Sequence, residues 1–334
     1  MAAVPLAACG LAPSVLAALL RAGFRYQTDL VDVQARALAS EAQISVSDAV
    51  RVLAVARKEE ASATVVGKTA LEVLQEVTKV QPISTRLMGL DGLLGGGLQR
   101  GEVTEFCGGP GTGKTQFGIH ACLAAQYVAT EPGKVASAVY VDSEGSFIIE
   151  RVASMAECFL QDFRQLEMQK RTRDDLLRGI TYYRVHDYLE LIEVLHSLSA
   201  YLQGTAECKL LVIDTVSFHF RHGFEDFTQR ARALDDLAIF LHGLAADFDL
   251  AVVLINHITT KSSSNESRGS QLRPALGEGW VHSISNRVVF EWESNCRVAR
   301  LVKSPALAHG SALFDISERG VRDVIEEEYC PPSA

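Results

Sequence analysis

The sequence of 334 residues is 48% hydrophobic, which is enough for one large domain with a buried core and a small companion domain. Its 41 acidic residues outnumber its 32 basic residues, and the net charge of −9 excludes a protein that coats nucleic acid through bulk positive charge. No apolar run approaches the roughly 20 residues that a membrane-spanning helix needs, so no membrane association is expected.

The cysteines and the N-terminal segment indicate in which cellular compartment the protein is expected. The seven cysteines are odd in number, are scattered and form no C-x-x-C pair, so they predict neither a zinc site nor a redox motif. They are typical of reduced thiols in a cytosolic or nuclear protein. The apolar stretch at 11–20 has no preceding basic residue and is followed directly by Arg21, so it does not predict a signal peptide.

Residues 1–60 carry short helical patterns. Apolar residues at 15–20 form one helical stripe, and a second stripe at 49–55 follows Ser47, which we expect to be its N-cap. The segment predicts a small helical N-terminal domain. Residues 61–81 are mostly small and polar, apart from one short amphipathic segment, and are predicted to be a linker.

The pattern changes in residues 82–334. Apolar runs bounded by turn residues alternate with segments of helix length, which is typical of buried parallel strands with crossover helices. Such runs occur at 103–107, 138–142, 180–184, 210–214 and 251–256. An amphipathic helix is predicted at 234–248. The later runs at 288–292, 298–302 and 312–316 lie too close together for crossover helices, so we expect them to extend the sheet in antiparallel fashion.

A phosphate-binding loop follows the first of these strands. The motif G-x-x-x-x-G-K-T consists of Gly108, Gly109, Pro110, Gly111, Thr112, Gly113, Lys114 and Thr115. Its glycines allow backbone N–H groups to surround phosphates at a helix N-terminus. Lys114 is expected to pair with the β- and γ-phosphates, and the Thr115 hydroxyl to bind Mg²⁺. The cofactors predicted from this motif are ATP and Mg²⁺.

Two carboxylates are predicted to join this loop at the carboxyl edge of the sheet. Asp214 ends a buried strand and is expected to hold Mg²⁺ through water. Glu144 follows the strand at 138–142 and is placed to act as general base for the attacking water. The alternatives are a turn or helix cap for Asp214 and a solvated loop acid for Glu144.

The order of these motifs resembles that of the RecA-like recombinases of homologous recombination. The resemblance covers nearly all of residues 66–324. Within that family, four segments look most like the C-type paralogue of the eukaryotic strand-exchange recombinase. Those segments are 220–222, 258–261, 274–280 and 303–305. The resemblance implies an α/β fold: a RecA-like P-loop ATPase core with a mainly parallel central sheet and antiparallel C-terminal strands, after a small N-terminal helical domain.

The resemblance also implies a function. It is that of an ATP-binding, DNA-dependent ATPase subunit of a recombinase-paralogue complex in homologous recombination and double-strand break repair. Such complexes load and stabilise recombinase on single-stranded DNA and act at Holliday junctions. The implied partners are other recombinase paralogues and single-stranded and branched DNA, and the implied location is the nucleus.

Several residue roles come from the resemblance alone. Arg151 is expected to stack near the adenine, and Gln116 is grouped with the nucleotide-binding residues. Segments 218–228 and 261–276 correspond to two DNA-facing loops. The first contains Arg221, and the second contains three residues that we call the loop-two cations: Lys261, Arg268 and Arg273. Their side chains suit phosphate contacts, and the alternative is a solvated polar loop.

Lys303 is a candidate for action in trans on the nucleotide of a neighbouring subunit; the alternative is a surface lysine at a strand end. Three features depart from the family pattern. His257 occupies the position of a glutamine that senses the γ-phosphate, which puts coupling of nucleotide to DNA in doubt. Gly67 replaces a linker phenylalanine that docks into the next subunit, and a glycine-rich hairpin is missing from 42–47. The second departure argues against self-polymerisation, and the third weakens a DNA role for residues 1–60.

Two other functions share the nucleotide residues. One is a structural subunit that uses ATP as interfacial glue, and the other is a RecA-fold hexameric motor or helicase. The motor should lack the loop pattern at 260–280 and the small N-terminal domain. A GTPase is disfavoured because the segment at 256–259 lacks the acid of the N-K-x-D guanine motif.

Overall fold

The computed structural model describes residues 4–9, 11–30, 33–60, 69–78, 80–131, 134–163, 171–222, 224, 226–261, 271–274, 276–293 and 295–324. The chain divides into two compact units, Met1–Val77 and Thr78–Ala334. None of the described helices is both long enough and apolar enough to cross a bilayer.

The first unit is helical. Its α-helices are α1 Pro13–Arg21, α2 Ala35–Ala42, α3 Val46–Glu60 and α4 Ala70–Val77. Leu19, Leu30 and Leu38 are fully buried in its core. The predicted N-cap Ser47 is wrong, because α3 begins earlier and Ser45 Oγ accepts the backbone N–H of Asp48 at 3.0 Å. Segment 42–47 therefore contains the last residue of α2, the three residues of the junction and the first two residues of α3.

The second unit is an α/β core. Its helices are α5 Met88–Leu93, α6 Lys114–Ala125, α7 Ile149–Asp162, α8 Arg173–Arg178, α9 Tyr188–Gly204, α10 Phe218–His222, α11 Phe227–Phe248 and α12 Glu278–Ser283. Its strands are β1 Val103–Gly108, β2 Ala129–Glu131, β3 Lys134–Val135, β4 Ser137–Asp142, β5 Ile180–Arg184, β6 Cys208–Asp214, β7 Ala251–Lys261, β8 Gln271–Pro274, β9 Asn286–Glu293, β10 Cys296–Lys303, β11 Gly310–Ser317 and β12 Gly320–Asp323.

The main sheet runs in the order β12-β11-β10-β9-β1-β7-β6-β4-β5, with β8 paired to β7 off this path. Strands β1, β4, β5, β6 and β7 are parallel, and β10 to β12 add antiparallel pairs. The predicted fold class is thereby confirmed. One detail is wrong: β9 pairs with β1 in parallel, because the chain between β7 and β9 crosses back to the start of β1 before β9 begins.

Helices cover both faces of the sheet. Strand β1 is buried along its whole length, and β4 is buried from its second residue onward. Strands covered on both faces must be apolar throughout, which explains the continuous runs in the sequence. Because β1, β4, β6 and β7 are parallel, their carboxyl ends share one edge of the sheet, where ligands bind in folds of this type.

Candidate nucleotide-binding site

The phosphate-binding loop joins the end of β1 to the start of α6. Gly111 has a φ of +73°, a conformation that L side chains rarely adopt. Lys114 is the first residue of α6, and its Nζ donates to the carbonyls of Gly108 at 3.0 Å and Gly109 at 2.8 Å. Burial lowers the pKa of Lys114. The ammonium group therefore lies over the loop in a partly desolvated position, where it would interact strongly with a phosphate.

Asp214 accepts hydrogen bonds from three hydroxyl groups, which lie in α6, in β4 and in the loop after β4. Its Oδ2 accepts hydrogen bonds from Thr115 Oγ1 at 2.7 Å, Tyr140 OH at 2.6 Å and Ser146 Oγ at 3.3 Å. Its Oδ1 is buried and has no hydrogen-bond partner among the described residues. Burial raises the pKa of Asp214.

A buried carboxylate oxygen without a donor is costly unless a cation compensates it, so Asp214 and Thr115 fit Mg²⁺. Within the described residues there is no cluster of three or more His, Cys, Asp or Glu that could hold a metal. A site with one carboxylate and one hydroxyl suits Mg²⁺ that keeps water and phosphate oxygens as its other ligands.

Asp142 shapes the loop that carries Glu144. Its Oδ1 accepts the backbone N–H groups of Glu144, Gly145 and Ser146 at 2.7–3.2 Å. Tyr182 OH donates to its Oδ2 at 3.1 Å. The carboxylate of Asp142 is thus used to hold the backbone, which leaves Glu144 as the acid of this loop that can reach a ligand.

Glu144 is held by one residue that follows β6 and by one residue within β7. Its Oε1 accepts from Thr215 Oγ1 at 2.9 Å and lies 2.8 Å from His257 Nε2. The hydrogen bond to His257 is the largest cause that lowers the pKa of Glu144. The structure therefore brings the predicted sensor and the predicted general base into direct contact, which the sequence did not indicate.

Arg151 lies beside the phosphate-binding helix. Its Nε donates to Gln116 Oε1 at 2.8 Å, and its other nitrogens donate to the carbonyls of Glu318 at 2.6 Å and Ser317 at 2.8 Å. These bonds tie α7 to α6 and to the turn after β11. The expected stacking of Arg151 on adenine stays a prediction.

Lys303 is engaged within its own chain. Its Nζ donates to the carbonyls of Val281 at 2.7 Å and His282 at 3.1 Å, and also to that of Ile284. These carbonyls lie at the C-terminal end of α12, where a cation is favoured. A role in trans on a neighbour's nucleotide stays a prediction, and it would require Lys303 to leave these acceptors.

The predicted DNA loops are only partly described. Arg221 is exposed at the end of α10, and its charge contributes to lowering the pKa of Glu144, after the hydrogen bond to His257. The backbones of Lys261 and Arg273 lie in the β7–β8 hairpin. Their side chains, together with Arg268 and Gly67, lie outside the described residues.

Sequence reasoning missed two contributors to the site. From the sequence, Tyr140 is predicted to be a core residue of an apolar strand, yet its hydroxyl donates a hydrogen bond to Asp214. Glu105 lies inside β1 and is fully buried behind the loop. A polar group within an otherwise apolar buried strand was the available signal, because such a group needs a partner.

Comparisons with known proteins find relatives along most of the chain. The model of the Rad51 family matches residues 76–324. The DNA repair protein RAD51 homolog 3 of Cricetulus griseus is 36% identical over 333 residues, covering 94% of this chain and 90% of the relative. The protein of the same name from Dictyostelium discoideum is 37% identical over 243 residues, covering 70% and 64%. The DNA repair and recombination protein RadA of Metallosphaera sedula is 30% identical over 321 residues, covering 95% and 94%.

Proposed function

The chain belongs to the Rad51 family, and on that premise we propose that it is an ATP-binding, DNA-dependent ATPase subunit of a recombinase-paralogue complex. Its role is in homologous recombination and double-strand break repair, and this proposal is supported by relatives whose names refer to DNA repair and to recombination. Its partners are other recombinase paralogues and single-stranded and branched DNA, in the nucleus. Loading and stabilising recombinase, and action at Holliday junctions, are the steps that we assign to the complex.

One observation carries the ATPase proposal: the buried, unpartnered Oδ1 of Asp214 beside Thr115 and the phosphate-binding loop. Thr115 and Asp214 would hold Mg²⁺, which neutralises charge on the β- and γ-phosphates. Lys114 would pair with the same phosphates.

Glu144 would orient the attacking water and accept its proton. Thr215 and His257 both contact Oε1, so Oε2 is the oxygen with no protein donor among the described residues. The contacts on Oε1 therefore fix the carboxylate while Oε2 can face water. This arrangement lets Glu144 be positioned and still act as a base.

The test is calorimetry with ATP and Mg²⁺, followed by hydrolysis assays. Lys114→Ala should abolish high-affinity binding, whereas Lys134→Ala, at a half-exposed lysine paired with Glu207, should leave it unchanged. Glu144→Gln should bind ATP normally and hydrolyse it slowly, because an amide can hydrogen-bond water but cannot take its proton. Normal ATP binding by folded Lys114→Ala would refute the site.

The alternative of ATP as interfacial glue is favoured by one observation. The hydrogen bond from His257 lowers the pKa of Glu144, and a carboxylate with a lower pKa is a weaker base. In that case ATP-dependent assembly with partners should be equal in the wild-type chain and in Glu144→Gln, and wild-type hydrolysis should be at background. A hexameric motor would instead form rings without paralogues.

A further inference from the structure

Glu105 is a buried carboxylate that the phosphate chemistry does not use. It lies on β1 with no exposed surface. Its Oε1 accepts from Asn256 Nδ2 at 2.7 Å and from Trp280 Nε1 at 2.8 Å. Its Oε2 accepts from the buried guanidinium of Arg287. A charge at this depth is tolerated only when it is paired and hydrogen-bonded, so the network has a defined geometry.

Asn256 connects Glu105 to the nucleotide edge. Because its Nδ2 faces Glu105, its Oδ1 is left to accept the backbone N–H of His257 at 2.8 Å. His257 Nε2 in turn lies 2.8 Å from Glu144 Oε1. Only one orientation of the Asn256 amide satisfies both neighbours, and the Glu105 carboxylate selects it.

Helix α12 is fixed at the other end of this chain of contacts. Trp280 is only 2% exposed and packs in the core on that side of the sheet. Lys303 holds the last carbonyls of the same helix. A displacement of His257 would therefore strain the bonds from Asn256 to Glu105 and from Glu105 to Trp280, because buried donors cannot find water instead.

We propose that Glu105 is a positioning residue that joins Trp280 of α12 to the His257–Glu144 pair, so that ATP–Mg²⁺ at the phosphate-binding loop changes the environment of the Trp280 indole. The proposal rests on the proposed ATP binding. Glu105 itself is left intact in the test, because its removal would leave the Arg287 charge buried and unpaired, which destabilises a fold.

The chain has two tryptophans, so Trp292→Phe makes Trp280 the sole tryptophan reporter. Trp292 is 48% exposed and is stacked by Arg297, an interaction that phenylalanine can also make. ATP–Mg²⁺ is titrated into this variant by calorimetry and by tryptophan fluorescence in parallel. The expected result is a change in Trp280 emission that follows the calorimetric binding curve.

In the same background, His257→Ala should lose the emission response when compared at ATP concentrations that saturate each protein. Asn256→Ala, which removes the side chain that links His257 to Glu105, should lose the emission response as well. His309→Ala, at an exposed histidine between β10 and β11, should keep it. Far-UV circular dichroism verifies that each variant is folded.

Calorimetric binding without any emission response would overturn the inference and leave the proposed ATP binding standing. A response that survives in folded His257→Ala would also overturn it, because the change at Trp280 would then not depend on the contact between His257 and Glu144. Absence of binding heat in the Trp292→Phe chain would overturn the proposed function and the inference together, so the two failures are distinguishable.

Discussion

Glycine can be required in a phosphate-binding loop for two physical reasons: lack of space for a Cβ atom, or a backbone conformation with positive φ. Three glycines of this loop allow the two reasons to be tested one at a time. A Cβ on Gly108 would lie 2.4 Å from the carbonyl oxygen of Phe290, although the backbone of Gly108 is ordinary. A Cβ on Gly111 would meet nothing within 4 Å, but its φ is +73°. Gly109 has open space and no positive φ. Alanine at Gly108 therefore tests crowding, and alanine at Gly111 tests backbone strain. Alanine at Gly109 tests neither effect and serves as the control.

The crowding at Gly108 involves backbone, because Phe290 is its register partner in the parallel pair of β1 and β9. A rotamer change cannot relieve it, so Gly108→Ala should destabilise the core by about 2–3 kcal/mol. Gly111→Ala should cost about 1–2 kcal/mol through the left-handed backbone alone. Gly109→Ala should change stability by less than about 0.5 kcal/mol.

The assay is urea unfolding followed by tryptophan fluorescence. Both Trp280 and Trp292 lie in the second compact unit, so the signal reports on the core and not on the N-terminal unit. The expected order of cost is Gly108, then Gly111, then Gly109. Equal costs at Gly108 and Gly109 would refute the close approach of β9 to the loop.

The other predictions concern pH dependence, DNA binding, the C-terminal cap of α12 and self-assembly. ATP turnover should fall at acid pH as Glu144 is protonated, and His257→Ala, which removes the main cause of its lowered pKa, should move that acid limb to higher pH; an unmoved limb would contradict the contact. Stability should depend on pH in the same direction: Glu144 stabilises the fold at pH values above its pKa in the unfolded chain, about 4.5, and this stabilisation is lost as the pH falls through its lower pKa in the folded chain. Neutralising the three loop-two cations should make the salt dependence of single-stranded DNA binding shallower in a filter or anisotropy assay, and an unchanged slope would place the DNA site elsewhere. Lys303→Ala should lower the free energy of unfolding by about 1 kcal/mol through loss of the α12 cap, and a fall of a partner's ATP turnover in a mixed assembly would separately show a role in trans. Since Gly67 offers no aromatic anchor, the chain alone with ATP should form no long filaments, and regular homopolymers in electron micrographs would refute this.

The fold class and the position of the phosphate-binding loop could be predicted from local sequence patterns. Strands buried on both faces must be continuous apolar runs, so β1, β4 and β6 could be placed to within a few residues. The loop motif is local, because its glycines and Lys114 act within one short stretch of chain. The same holds for Asp214 at the end of its strand.

Local patterns could not give the direction in which β9 pairs. Short spacing between strands indicates hairpins for β10 and β11, but β9 depends on the path of the chain after β7. The N-cap at Ser45 was missed for a related reason. Several polar residues near a helix start can serve as caps, and only the backbone geometry selects one.

Local patterns also could not predict which polar residues meet, because these contacts form between distant parts of the chain. Glu144 follows β4, Thr215 follows β6 and His257 lies within β7, and Glu105 lies far in sequence from Trp280. Contacts of this kind depend on strand order and register, which set distances between residues that share no local pattern. The sequence therefore identifies the groups that can carry the chemistry, and the sheet brings Glu144 and His257 within a hydrogen bond of each other because parallel strands end at one edge.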